Sequence, residues 1–173
     1  MRIDKGQNTN FDLIFRIMRE EYSRTGLDPK STKYAAKTAL SGSEFVETLL
    51  RNGSNDFSGA YVYDLKVVGI DLSDANLKGA WLSGVQIPYS NLQGSEIDCA
   101  HISGNLKGVD LRHSIIRRSL MEGDFSAADF SYSIIHRSEI VGVFAKTKMQ
   151  GANVIDTRIV ENKSWAWGAV RLH

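Results

Sequence analysis

The sequence predicts a mainly β solenoid, a chain wound into stacked coils of four short sides, behind an α-helical N-terminal segment. Two periodicities carry that prediction. From Phe57 to Ile102 an apolar residue stands at every fifth position, through Val62, Val67, Leu72, Leu77, Leu82, Ile87, Leu92 and Ile97. Helices repeat apolar positions at about 3.6 residues and strands at 2, so a run of fives calls for a coil built from five-residue sides. Two residues before each member stands a second, mostly small residue, among them Ala60, Ala75, Ala80, Ser90, Ser95 and Ala100.

The second periodicity lies in where the first one slips. After Ile102 the series restarts one residue early at Leu106, again at Phe125 and again at Phe144, and the residue two before each restart is Gly104, Gly123 or Gly142. These glycines are 19 apart, and SIIRRS at 114–119 is matched by SIIHRS at 133–138. Three sides of five and one of four make a four-sided turn, the repetition of a solenoid whose turns bury their apolar residues only by stacking. Gly84, Gly104, Gly123 and Gly142 fall at one corner, read as a corner tightened with the torsional freedom of glycine; the functional alternative is close approach of a ligand.

The stretches DLSDANLKGAWLSG (71–84) and GDFSAADFSYS (123–133) resemble the A(D/N)LxG signature of pentapeptide-repeat proteins, and the pattern covers about residues 55–160. The resemblance implies a right-handed quadrilateral β-helix of about five coils, with the central apolar residue and the small residue two before it pointing inward. The lumen has room for one large and one small side chain per side at interior density. Coils stacked at about 4.8 Å give a rod on the order of 25 Å long.

Residues 1–54 lack the repeat and read as a helical cap or leader. Phe11, Ile14, Phe15, Ile17, Met18 and Tyr22 form an amphipathic stretch. Asp28-Pro29 opens a second helical segment through about Leu40. Ser41 and Glu44 read as a capping box ahead of Phe45, Val46, Leu49 and Leu50. The simplest role is to cover the first coil's open lumen and β-edges; the alternatives are partner binding or non-classical export. At the other end, in the tail 161–173, Trp165 and Trp167 are expected to plug the solenoid or to form a homodimer contact.

Composition narrows the function classes. The 173 residues suit one domain, and 42% hydrophobic with 24% charged residues is ordinary for a soluble protein. No stretch resembles a membrane span or a classical secretory signal, and the single Cys99, expected to face outward, fits a reducing compartment. A cytoplasmic location follows as the expectation. GxSxG, HExxH, phosphate-loop and zinc-spaced cysteine patterns are missing. His101, His113, His136 and His173 are scattered through different columns, and Asp124 and Asp129 stand where the signature has Asp or Asn, a structural place. The chain is therefore expected to be a non-enzyme with no cofactor and no metal.

Charge bears on the family's gyrase-protecting members, whose acidic rods resemble B-form DNA. Such mimicry needs a field of one sign, whereas residues 55–160 carry ten Lys and Arg against twelve Asp and Glu, a net of −2. Direct nucleic-acid binding is not favoured either, since residues 1–54 carry only +2 and no basic run appears. One patch stands out when the turns are aligned. Arg117 and Arg118 stack on His136 and Arg137, with outward Ile115 and Ile134 just before the central residues. On the adjoining side Tyr61, Trp81, His101 and Leu120 share one outward column.

The expected protein-binding residues are thus Ile115, Arg117, Arg118, Ile134, His136, Arg137, Trp81 and Leu120, because arginine and aromatic residues are enriched in hot spots. The competing expectation is that the N-terminal helices lie on this edge. Three functions follow: a scaffold or adaptor, with bacterial effectors as a family precedent; a topoisomerase-protecting DNA mimic; and a ligand or catalytic pocket between the helical cap and the solenoid.

Overall fold

The computed structural model describes residues 39–52 and 55–162. Eleven strands and one helix follow each other as β1 (Ala39–Ser41), α1 (Gly42–Asn52), β2 (Tyr61–Tyr63), β3 (Trp81–Gln86), β4 (Glu96–Asp98), β5 (His101–Asn105), β6 (Ile115–Arg117), β7 (Leu120–Asp124), β8 (Ile134–His136), β9 (Glu139–Val143), β10 (Asn153–Ile155) and β11 (Arg158–Glu161). They form two sheets, seven-stranded in the order β1-β2-β3-β5-β7-β9-β11 and four-stranded in the order β10-β8-β6-β4. Every pairing is parallel and joins residues 19 or 20 apart beyond β1, as Trp81 to His101 and Ile115 to Ile134. The chain is a four-sided β-solenoid. The seven-stranded sheet is its first side and the four-stranded sheet its fourth.

The second and third sides are joined by single bridges such as Lys66 to Gln86 and Asp110 to Asp129. Here the Asp or Asn of the signature has a physical task. Its side-chain oxygen accepts the backbone N–H two residues on, as Asp71 from Ser73, Asn91 from Gln93, Asp124 from Ser126 and Asp129 from Ser131, at 2.9–3.0 Å. These turns mimic a backbone turn, and they give Asp124 and Asp129 the structural role their positions suggest.

Inside, the expected residues are buried. Leu72, Leu77, Leu82, Ile87, Leu92 and Ile97 have no exposed surface, and Ala75, Ala80, Val85 and Ala100 fill the space beside them. Gly104 and Gly123 meet the backbone of the preceding coil. A Cβ on Gly104 would lie 1.9 Å from the Val85 carbonyl oxygen, and one on Gly123 would lie 2.0 Å from that of Gly104. The close approach at this column is coil on coil, so the glycines are a packing requirement. Gly84 does not belong with them. The register shifts between Leu82 and Val85, and Gly104 pairs with Val85. The change from 20 to 19 residues per turn is absorbed as a bulge in β3, with Gly84 in open space at φ 66°.

At the N-terminal end, Ala39–Ser41 pairs with Tyr61–Tyr63. The sequence predicts helix through about Leu40; the backbone of β1 instead continues the parallel ladder of the first coil, which satisfies that coil's open edge. The helix then starts where the capping box predicts: the Ser41 amide donates to Glu44 Oε2 at 2.7 Å and the Glu44 amide to Ser41 Oγ at 3.3 Å. Phe45 is buried with its ring centroid 4.1 Å from that of Phe57, closing the lumen over the first coil. Among the described residues of the last coil the core thins. Phe144, Met149 and Ile159 are only partly buried, and Val154, a central residue, is exposed. The expectations for Phe11 to Tyr22, Asp28-Pro29, His173, Trp165 and Trp167 lie outside the described residues.

Candidate protein-binding edge

The fourth side places two outward columns next to each other. The ladder aligns Glu96, Ile115, Ile134 and Asn153 in one, and Asp98, Arg117, His136 and Ile155 in the other. Ile115 and Ile134 stand where the second and third sides carry turn-closing Asp or Asn. Here the chain stays extended through β6 and β8 and is paired in the ladder, Ile115 with Ile134 and Arg117 with His136, where the second and third sides turn. The position is thus free for a side chain chosen for its surface. Ile115 is half-buried and Ile134 is 38% exposed.

The basic side chains around these isoleucines are not equivalent. Arg118 and Arg137 occupy the corner after the fourth side with left-handed backbone, φ 49° and 50°, in one column with Cys99 and Asp156. Arg118 turns back one coil, donating from Nε to Asp98 Oδ1 at 3.0 Å and from Nη2 to Asp98 Oδ2 at 2.5 Å. A partly buried bidentate pair of this kind fixes the guanidinium. Arg137 is 4.0 Å from Asp156, and His136 is 3.9 Å from the same carboxylate; Arg137 and Asp156 are largely exposed and His136 is half-buried. Surface pairs at these distances hold little energy, so His136 and Arg137 remain open to other anions. The corner behind them is held by Ser119, whose Oγ donates to the Arg117 carbonyl at 2.6 Å and accepts the Ala100 amide at 3.0 Å.

Two residues join the edge that the sequence reading does not include. Ile155 continues the Arg117–His136 column and is exposed, and Tyr132, at the preceding corner with φ 61° and two residues before Ile134, is exposed as well. The Tyr132 ring stacks on His113 at 5.4 Å, and the next coil makes room with Gly151, where a Cβ would lie 2.7 Å from the ring. Aligning the four columns at the 19-residue spacing would have found Ile155. Tyr132 sits at a corner, outside any apolar column.

Trp81 and Leu120 lie elsewhere. Both belong to the first side, in the column Tyr61, Trp81, His101, Leu120, Glu139 and Arg158. Trp81 is half-buried with its ring edge-on to His101 at 4.6 Å, and His101 Nε2 is 3.2 Å from Glu122. Leu120 is only 3% exposed and offers a partner no surface. The expected set therefore divides into an open edge on the fourth side and a closed region on the first. Cys99 faces outward at the corner of Arg118 and Arg137, half-buried, with Sγ 3.5 Å from Asp98.

Elsewhere several carboxylates are held by hydrogen bonds close to them in the chain. Hydrogen bonding by the Arg112 side chain holds the Asp110 carboxyl below the usual range, and the Ser73 amide does the same for Asp71. Among the described residues no group of three or more His, Cys, Asp and Glu is placed to hold a metal ion. A shallow groove between α1 and the first coil is lined by Val46, Leu50, Asp64, Lys66 and Val67. Ser43 and Glu47 of α1 line it as well. No described helix is long and apolar enough to cross a membrane.

No protein-family model matches the sequence, and no curated protein does. Similar solved structures include a pentapeptide repeat protein from Nostoc Pcc 7120, 16% identical with a TM-score of 0.33, covering 69% of this chain and 97% of that one. A second, from the cyanobacterium Cyanothece 51142, is 8% identical with a TM-score of 0.41, covering 70% and 96%. A third, a plasmid-mediated fluoroquinolone resistance protein, is 14% identical with a TM-score of 0.24, covering 60% and 74%. At these values the likenesses carry no functional weight. The five-residue pattern of the sequence and the four-sided parallel coils of the structure are together consistent with the pentapeptide-repeat family.

Proposed function

We propose that the chain is a non-catalytic scaffold or adaptor that binds a protein partner through the fourth-side edge of Ile115, Arg117, Ile134, His136 and Arg137, extended by Tyr132 and Ile155. One observation supports this reading above the others. Ile134 and Ile155 are exposed beside the basic side chains His136 and Arg137, whose nearest carboxylate is 3.9–4.0 Å away, and Ile134 stands where other sides carry turn-closing Asp or Asn. Exposed apolar surface rimmed by charge marks interaction sites, and the chemistry fits a partner surface of aliphatic side chains flanked by carboxylates.

The test uses the full chain as bait and compares it with Ile134→Glu and Arg137→Glu variants. Proteins retained by the wild type and lost from both variants, at unchanged melting temperature, support the edge. Retention of the same proteins by all three forms refutes it.

A topoisomerase-protecting mimic finds its best support in the third-side column of Asp71, Asn91, Asp110, Asp129 and Lys148. That column does not present a field of one sign: Arg112 bonds Asp110 at 2.6 Å and Lys148 lies 3.6 Å from Asp129. Reversal of quinolone inhibition in a gyrase supercoiling assay would favour the mimic over the adaptor.

A further inference from the structure

Two of the four sides of the first coil end in an open backbone edge. β1 pairs with the first side, and the stretch around Phe57 lies under the fourth, where the Asn76 amide donates to the Asn55 carbonyl at 2.7 Å. The second and third sides, residues 65–74, have no such neighbour among the described residues. One coil up, the Gln86 amide donates to the Leu65 carbonyl and the Gln86 carbonyl accepts from the Val67 amide, and Asn91 does the same with Ile70 and Leu72. Lys66 and Asp71 are the bridge partners of Gln86 and Asn91. In a parallel bridge of this kind their own N–H and C=O groups point the other way, off the end of the solenoid. Among the described residues none of those four groups is hydrogen-bonded.

The edge faces an apolar groove. Two adjoining hollows of about 650 and 470 Å³ lie between α1 and this edge and share Val46, Leu50 and Val67, with Lys66 lining one and Asp71 the other. Leu50 is 77% exposed and Val68 72%, the two most exposed large aliphatic residues among those described. The charge is one-sided: Glu47, Asp64 and Asp71 line the groove against Lys66, which is already 3.0 Å from Asp64. Phe45 of α1 closes the lumen beside it, so a second solenoid cannot seat flush on this end, whereas a single strand beside α1 can.

We propose that the groove takes an extended, aliphatic and basic peptide segment of a partner, which adds one more rung to the second and third sides. Unpaired strand edges are templates for pairing, and strand addition draws affinity from backbone bonds and specificity from pockets for alternate side chains. The coil's own columns say which side chain suits each place. A lysine beside Asp71 repeats the contact of Lys148 with Asp129, 3.6 Å apart. Aliphatic residues beside Val67 and Ile70 meet Val46 and Leu49 of α1. A glycine beside Gly69, whose φ is 68°, turns the corner with it. This partner is opposite in charge to the one that the Ile134 edge fits, so the two sites are tested separately.

The probe is a blocked peptide, Lys-Val-Gln-Val-Ser-Gly-Val-Lys-Val, laid out so that its lysines fall beside Asp64 and Asp71. Binding to the full chain is followed by calorimetry and by hydrogen exchange at the Lys66 and Asp71 amides. Saturating peptide should slow both amides at least about tenfold. Leu50→Lys should weaken binding at least about tenfold at unchanged melting temperature, because Leu50 is exposed. The same peptide with glutamate in place of lysine should not bind. Equal binding of the two peptides, equal binding by Leu50→Lys, binding that leaves both amides unchanged, or no binding would overturn the proposal. Slow exchange of both amides in dilute protein without peptide would mean that the edge is already paired within the chain, and slowing that grows with protein concentration would assign it to a second copy; either result also overturns it.

Discussion

Leu120 and Ile134 are both aliphatic residues at outward positions on neighbouring sides of one solenoid, fourteen residues apart in the chain, yet one is 3% exposed and the other 38%. Their coils are built alike, with the same ladder and the same inward pair of large and small residues. The difference lies in the surroundings of each outward side chain. It teaches that in a solenoid the repeat fixes only the inner half of each side, and that the outer half is assigned face by face, as core on the first side and as surface on the fourth.

The largest expected effect breaks the covered face. Leu120→Glu places an unpaired carboxylate in a buried apolar site and should cost at least about 3 kcal/mol, read as a fall in melting temperature of roughly 10 °C or more. A fall of only a degree or two would mean that the first side is as open as the fourth. Next comes the corner the two sides share. Ser119→Ala removes an oxygen that accepts the Ala100 amide and reaches two carbonyls, Ile97 and Arg117. Leaving that buried amide unsatisfied should cost about 1–2 kcal/mol, measured by urea unfolding.

A smaller effect separates the faces by pH. Burial pushes the Glu139 carboxyl up, opposed by Arg158 and reinforced by Glu122. A carboxyl whose folded pKa is raised contributes stability below its unfolded value and loses it as pH rises through the folded value. The melting temperature of the wild type relative to Glu139→Gln should therefore decline as pH rises above the ordinary glutamate value of about 4.3. A constant difference would place Glu139 in water. The smallest effect is on the open edge: Ile134→Glu should change stability by no more than about 0.5 kcal/mol, and a larger loss would mark Ile134 as core.

The inner half of the solenoid was legible in the sequence because a five-residue period has one structural meaning, and Leu72 through Ile97 are buried as their spacing predicts. The capping box at Ser41 and Glu44 was legible for a similar reason, since its reciprocal hydrogen bonds need only local chain. Ala39–Ser41 was not, because its strand exists only through pairing with Tyr61–Tyr63, twenty-two residues on. The bulge at Gly84 escaped for the same cause: the deletion is visible in sequence, but the rung that absorbs it is set by the coil above. Column alignment brought Ile115, Ile134, Arg117 and His136 together correctly. It did not show that Arg118 is bound to Asp98 or that Leu120 is buried, since column alignment carries neither side-chain reach nor the depth of burial at an outward position.

The central claim, that a partner is taken by the fourth-side edge of an intact scaffold, is tested most directly by titrating a purified partner into the full chain and into Ile134→Glu/Arg137→Glu by calorimetry. The account predicts at least about a tenfold loss of affinity with a melting temperature within about 2 °C of the wild type. Equal affinity in the two forms would contradict it.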